Sequence, residues 1–140
     1  MTSQTIALDT SVILAIALDE PEAEAFKTAL RSAQILIGWP TLFETRLVLG
    51  AKGFSNAGAI VAGLVEAPNV AAVPFDRKHY EAAERAFERF GKGRHPAAAL
   101  NMGDCFSYAV AAAAKAPLLF KGQDFGQTDL AAHPVSALAP

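Results

Sequence analysis

Four carboxylates stand apart from the other charges of this chain, each in apolar surroundings. They are Asp9 after Leu8, Glu44 in Leu-Phe-Glu-Thr-Arg, Asp104 in Asn-Met-Gly-Asp-Cys-Phe, and Asp124 in Lys-Gly-Gln-Asp-Phe. Most remaining acidic residues fall in two groups, 19–24 and 76–88, where neighbouring charges or helix starts account for them. Each of the four also has a local explanation. Asp9 and Thr10 can cap a helix beginning near Ser11, Thr41-x-x-Glu44 has the spacing of a capping box, Asn101-x-x-Asp104 resembles one, and Asp124 can close an Asx turn. Taken jointly they suggest different chemistry. Two carboxylates about 4 Å apart repel by roughly 4 kcal/mol at an effective dielectric near 20, so a converging set requires positive charge among its members. Lys121 is the one basic residue at a matching place in the sequence. An all-oxygen set of ligands selects a hard divalent cation, Mg²⁺ or Mn²⁺. Ions held this way suit in-line hydrolysis of a phosphodiester, by lowering the pKa of the attacking water and stabilising the leaving oxygen.

That convergence depends on the elements that carry the four residues. Short uninterrupted apolar runs at 5–8, 34–38, 70–74 and 117–120 read as strands buried on both faces of a parallel sheet, with a weaker fifth at 135–138. Between them, 11–18, 21–31, 40–51, 56–66, 77–90 and 103–115 read as helices, the order expected of a three-layer α/β/α sandwich with four to five strands. In 77–90, Tyr80, Ala83, Phe87 and Phe90 share one face and Gly91 ends the helix. The stretch 91–99 is the best loop candidate. In such a sheet, strand ends and the starts of following helices gather on the carboxyl edge, where ligands bind. Asp9 ends the first strand, Glu44 starts the helix after the second, and Asp124 follows the fourth. Asp104 reaches the same crevice only if the 91–101 loop returns there.

Composition bounds the rest. At 140 residues and 52% hydrophobic content the chain is one domain, 1–140, with enough apolar surface for a core. Twelve basic against 14 acidic residues give a net charge of −2, so any nucleic-acid contact must be local. Neutralising the four carboxylates with divalent cations turns this slight acidic excess into a basic one. The single Cys105 excludes an internal disulfide and a multi-Cys zinc site, and reads as a small core residue rather than a nucleophile. His79, His95 and His133 show no ligand spacing. No Lys or Arg precedes Lys27, so the apolar run 12–18 lacks the basic flank of a signal peptide, and 105–120 is too interrupted for a span. The expectation is a soluble cytoplasmic protein with no membrane contact.

With these residues in view, the chain resembles a known family. Asp9-Thr10-Ser11, the helical Glu44, Asn-Met-Gly-Asp-Cys-Phe-Ser-Tyr-Ala at 101–109 and Leu-Leu-Phe-Lys-Gly-Gln-Asp-Phe at 118–125 together resemble PIN-domain ribonucleases, specifically toxins of the VapC type. The resemblance implies a PIN-like α/β/α fold, a Mg²⁺ or Mn²⁺ site, endoribonuclease activity on RNA, and inhibition by a cognate VapB-type antitoxin. It further implies that Asp9, Glu44 and Asp104 are the three best-defined catalytic and metal-binding acids, that Asp124 is the more variable fourth, and that Ser11 is a supporting polar residue. At position 122, where many relatives carry an acidic residue or Asn, this chain has Gly; Asp129 is a spare candidate. Homodimers are common in the family and would set two acidic sites along one groove. Arg46, near Glu44, and Lys121, near Asp124, are then the basic residues best placed for substrate phosphate. Arg77, Lys78, Arg85, Arg89, Lys92, Arg94 and His95 form either a local RNA-backbone surface or a solvated helix face. Trp39, Phe43 and Phe54 either pack the core, the preferred reading, or receive an antitoxin helix.

Two other functions compete. A phosphotransfer domain also puts an Asp at a strand end near Mg²⁺. A haloacid-dehalogenase-like phosphatase, however, needs a second Asp two residues on, where Ser11 stands, and a receiver needs an acidic pair at the first strand and an Asp ending the third, which only Asp76 approaches. A binding domain that keeps the fold around a vestigial site is the other alternative, since a complete acidic set does not prove turnover.

Overall fold

The computed structural model describes residues 4–95 and 98–138. Four strands, β1 (Gln4–Leu8), β2 (Ala33–Gly38), β3 (Val70–Val73) and β4 (Leu118–Leu119), form one sheet in the order β3-β2-β1-β4, with every pairing parallel. Six helices join them: α1 (Thr10–Ala17), α2 (Ala23–Arg31), α3 (Trp39–Ala51), α4 (Ala57–Glu66), α5 (Arg77–Phe90) and α6 (Met102–Ala114). Successive strand residues point to opposite faces, and β1 divides accordingly. Ile6 and Leu8 enter a core with Val12, Phe26, Leu42 and Leu49 of α1–α3, whereas Ala7 enters a second core with Phe90 of α5 and Tyr108 and Val110 of α6. The expected three-layer α/β/α sandwich is therefore present. Among the described residues, no helix is long and apolar enough to cross a membrane.

The chain runs outward from β1 through β2 to β3, then returns to pair β4 on the other side of β1. This makes the carboxyl end of β1 a topological switch point, where an open parallel sheet leaves a crevice. Asp9 stands there, its N–H bonded to the Leu119 carbonyl at 3.1 Å.

Three expectations need correction. The fifth strand at 135–138 is instead a 3₁₀ turn, Pro134–Leu138; Pro134 has no N–H to give to a ladder, and Ser136 N–H closes onto His133 O at 2.9 Å. The sheet edge beside β4 is covered by residues 131–133, just before that turn, through Leu118 N–H to Ala131 O and His133 N–H to Leu118 O. β4 is also shorter than its apolar run, keeping only Leu118 and Leu119. On α5 the buried stripe is His79, Ala82, Ala86 and Phe90, because the alanines let the helix pack closely on α6; Tyr80 and Phe87 lie exposed. In the expected loop 91–99, residues 96 and 97 lie outside the described residues, and a bridge between Gly91 and Leu100 closes its base.

Candidate active site

Asp9 caps α1 at the carboxyl end of β1. Its Oδ2 accepts from Ser11 N–H at 3.0 Å and Ser11 Oγ at 2.6 Å, and its Oδ1 accepts from Ser107 Oγ at 2.5 Å. These donors fix a 5%-exposed carboxylate in one orientation. Ser107 lies three residues after Asp104, so one face of α6 supplies both a carboxylate and the hydroxyl that holds Asp9.

Glu44 does not close the capping box its spacing suggests, because α3 starts earlier, with Gly38 as its N-cap. The half-buried Glu44 lies in the helix interior and accepts at Oε1 from Thr10 Oγ1, 2.8 Å away. Thr10 is also 3.0 Å from Thr45 Oγ1, which donates to Thr41 O at 2.8 Å. This buried hydroxyl chain ties the start of α1 to α3. The Glu44 carboxylate packs directly on Gly103, so closely that a Cβ there would collide with Oε2, Cδ and Oε1. Burial raises the Glu44 carboxyl above its usual range, with the Asp9 charge adding to the rise and the Thr10 hydrogen bond opposing it.

Asp104 forms the capping box at the start of α6: Asn101 N–H donates to its Oδ2 at 3.0 Å, and Asp104 N–H donates to Asn101 Oδ1 at 2.9 Å. The Asp104 carboxyl is nonetheless pushed up to about 7, first by burial and then by the charges of Asp9, Asp124 and Glu44. The return of α6 on which the convergence depends is thus realised: Asp9, Glu44 and Asp124 all act on Asp104, and Asp9 acts on Glu44. Asp124 leads the 3₁₀ turn Phe125–Gln127 without any capping hydrogen bond from its side chain.

Other candidates are engaged elsewhere. Ser11 donates to Asp9 through both its N–H and its Oγ. Asp129 accepts from Tyr108 Oη and pairs with Arg89. Arg46 runs over Gly50 and Gly58 and lines a groove of about 490 Å³ with Trp39, Leu42, Phe43, Val61 and Val65, between α3 and α4. Trp39 and Phe43, read by preference as core, are 51% and 65% exposed in this groove, and only Phe54 packs on the core. The Lys121 ammonium pairs with Glu22 and Glu20. Cys105 is buried and its thiol is pushed up to about 11 by burial and by Asp104, which excludes a ready nucleophile. Sequence reasoning missed Thr10, Ser107 and Gly103 as supports. The spacing of Ser107 from Asp104 was the available signal for one of them; the other two act through contacts between distant helices.

The donors fit a hard cation in kind: four carboxylates, three of which are the charges that act on the fourth, and an acid pushed up to about 7 by burial and then by those charges. As they stand, no three His, Cys, Asp or Glu side chains among the described residues are arranged to hold a metal ion.

The chain matches the PIN domain family model over residues 6–130. Among curated proteins it is 39% identical to a protein named ribonuclease VapC from Mycolicibacterium smegmatis, over 91% of this chain and 98% of that one. It is also 39% identical to ribonuclease VapC30 of Mycobacterium tuberculosis, over 90% and 96%. Among solved structures, M. tuberculosis VapC20, described as a sarcin-ricin loop cleaving toxin, aligns with a TM-score of 0.73 at 18% identity, covering 89% of this chain and 95% of that one. VapBC-1 of Haemophilus influenzae aligns at 0.67 and 20% identity, covering 95% and 99%.

Proposed function

The chain belongs to the PIN domain family, and on that premise we propose that it is a metal-dependent endoribonuclease, the toxin of a toxin–antitoxin pair. The observation that carries the reading is the gathering of Asp9, Glu44, Asp104 and Asp124 at the switch point of the sheet, where burial and then the charges of the other three push the Asp104 carboxyl up to about 7. A structural role alone gives no reason to gather four acids without a basic partner.

When bound, Mg²⁺ or Mn²⁺ supplies a water of lowered pKa and countercharge for the leaving oxygen. The chain's own residues prepare for that. Ser11 and Ser107 hold both oxygens of Asp9 in place, Thr10 orients Glu44 toward α6, and the Asn101 N–H orients Asp104. Asp124 completes the set from the turn after β4. Asp104 would hold the ion in its carboxylate form, together with Asp9, Glu44 and Asp124.

The partner of the pair is an antitoxin of the VapB type. The groove between α3 and α4, apolar and carrying the exposed Trp39 and Phe43 with Arg46 beside them, is a helix-sized docking face. Exposed Tyr80, Phe87 and Met102, near the first turn of α6, give a second copy of the chain apolar surface for a homodimer. RNA as substrate and an antitoxin as partner assign the work of this protein to the cytoplasm. The test is incubation of purified protein with total cellular RNA and Mg²⁺ or Mn²⁺, with cut positions mapped. Wild-type protein is expected to cut at defined positions and Asp9→Asn to be silent; undiminished cutting by an Asp9→Asn, Asp104→Asn double variant would overturn the reading.

A further inference from the structure

Lys121 and Glu22 form a partly buried charge pair that the chemistry above does not use. The ammonium lies 2.6 Å from Glu22 Oε1 and 3.2 Å from Glu20 Oε1, and Glu22 is only 6% exposed. Their hydrogen bond lowers the Glu22 carboxyl and raises the Lys121 ammonium from their ordinary ranges. The charges that act on Asp104 are carboxylates alone, Asp9, Asp124 and Glu44. The Lys121 ammonium is directed at the turn after α1.

The main chain of Lys121 faces the other way. β4 is two residues long, so the backbone leaves the sheet at Phe120 with few ladder bonds to guide it. Phe120 N–H is held by Ser136 Oγ at 3.0 Å and Lys121 N–H by Ser11 Oγ at 2.9 Å. Ser11 Oγ passes its own hydrogen to Asp9. Beyond Lys121 the chain reverses at Gly122, at a φ of 117 that favours glycine, and leads to Asp124. Lys121 thus stands at the root of the turn that presents Asp124 while touching the hydroxyl that orients Asp9.

We propose that Lys121 is a positioning residue: clasped by Glu22 and Glu20, it locks the 121–124 turn so that Asp9 and Asp124 face the same ligand, and it does not bind substrate phosphate. The role in turnover rests on the nuclease reading; the clasp itself does not. A phosphate ligand and a clasp respond in opposite ways to Glu22→Gln, which frees the ammonium while keeping the size of its partner.

The experiment compares Lys121→Met, Lys121→Arg and Glu22→Gln by three readouts: RNA cleavage, calorimetric titration of the metal-free protein with Mn²⁺, and amide hydrogen exchange across 119–125. Lys121→Met and Glu22→Gln are expected to lower kcat by about ten- to a hundredfold at an unchanged KM, to weaken Mn²⁺ binding, and to speed exchange at 121–124. Lys121→Arg should restore all three. The proposal is overturned if Lys121→Met raises KM and reduces the salt slope of RNA binding by about one while Glu22→Gln leaves kcat and exchange unchanged. Where Glu22→Gln fails to fold, Glu20→Gln on the more exposed partner must reproduce the loss in weaker form, and an unaffected Glu20→Gln then counts against the clasp. Should the wild-type protein cut no RNA at all, the nuclease reading fails, and Mn²⁺ titration with hydrogen exchange still decides the clasp.

Discussion

The carboxylate of Glu44 rests on the Cα of Gly103, two helices that are distant in sequence meeting where no side chain intervenes. The contact brings α3 against the first turn of α6 and holds Glu44 one residue from Asp104. Gly103→Ala should therefore separate activity from stability. Alanine is favoured over glycine in a helix by about 1 kcal/mol, and the group it displaces is the end of a flexible side chain, so the melting temperature should not fall by more than a few degrees. Turnover should drop about ten- to a hundredfold, as when a supporting contact of a metal ligand is lost. Thermal melts beside cleavage rates decide the matter, and a fully active Gly103→Ala would show that Glu44 needs no fixed position.

Thr10→Val tests the hydroxyl chain that reaches Glu44. The bond from Thr10 favours the ionised carboxylate against the burial that opposes it. Its removal raises the Glu44 carboxyl further, because the charged form loses its donor while burial persists. The acidic limb of the pH–rate profile should therefore move to higher pH in Thr10→Val, with most of the loss seen below neutrality. Thr10→Ser keeps the donor and should keep the wild-type limb.

The sequence carries the fold class and the four acids for one reason: a strand buried on both faces is a short apolar run, and an acid directly after it has nowhere to go but the sheet edge. Asp9 after 5–8 is the clearest instance. The α6 return that brings in Asp104 is legible only as a condition, because a loop's path depends on contacts such as Gly91 with Leu100 that no local pattern encodes. Gly103 and Thr10 were invisible for a related reason: their partners lie on other helices, and a glycine or threonine at a helix start has an adequate local explanation. Proximity to Asp124 in the sequence makes Lys121 a candidate phosphate ligand. Its side chain instead crosses to Glu22, a partner 99 residues away.

Metal-free protein should lose stability as pH rises toward 8. The Asp104 carboxyl titrates at about 7 in the folded chain against an ordinary value of 3.8. Between those values the folded state holds a proton that the unfolded state has released, so stability falls with rising pH, and above the folded value the loss is complete. The raised Glu44 carboxyl acts in the same direction. Melting in a chelator should occur on the order of 5 °C lower at pH 8 than at pH 5.5. Added Mn²⁺ should recover that loss at pH 8, and Asp104→Asn should flatten most of the dependence. A chelated wild-type protein with no such slope would mean that burial and the neighbouring charges do not hold the Asp104 proton as its placement implies.

The α3–α4 groove yields a prediction that leaves the carboxylates alone. Ala62 is exposed, lines the groove with Val61 and Val65, and faces Trp39 and Phe43 across it. An arginine at 62 fills the space an antitoxin helix would take, adds a charge beside Arg46, and disturbs no buried contact, so its effect on folding should be within about 0.5 kcal/mol. Ala62→Arg is expected to cut RNA at the wild-type rate and to weaken inhibition by the antitoxin by about a hundredfold, the cost of blocking an apolar anchor at the centre of an interface. In cells, the antitoxin that rescues growth from the wild-type chain should fail against Ala62→Arg. Rescue at equal strength, with equal binding by calorimetry, would move the antitoxin to another face of the molecule and leave the exposed Trp39 and Phe43 to be covered by a second copy of the chain.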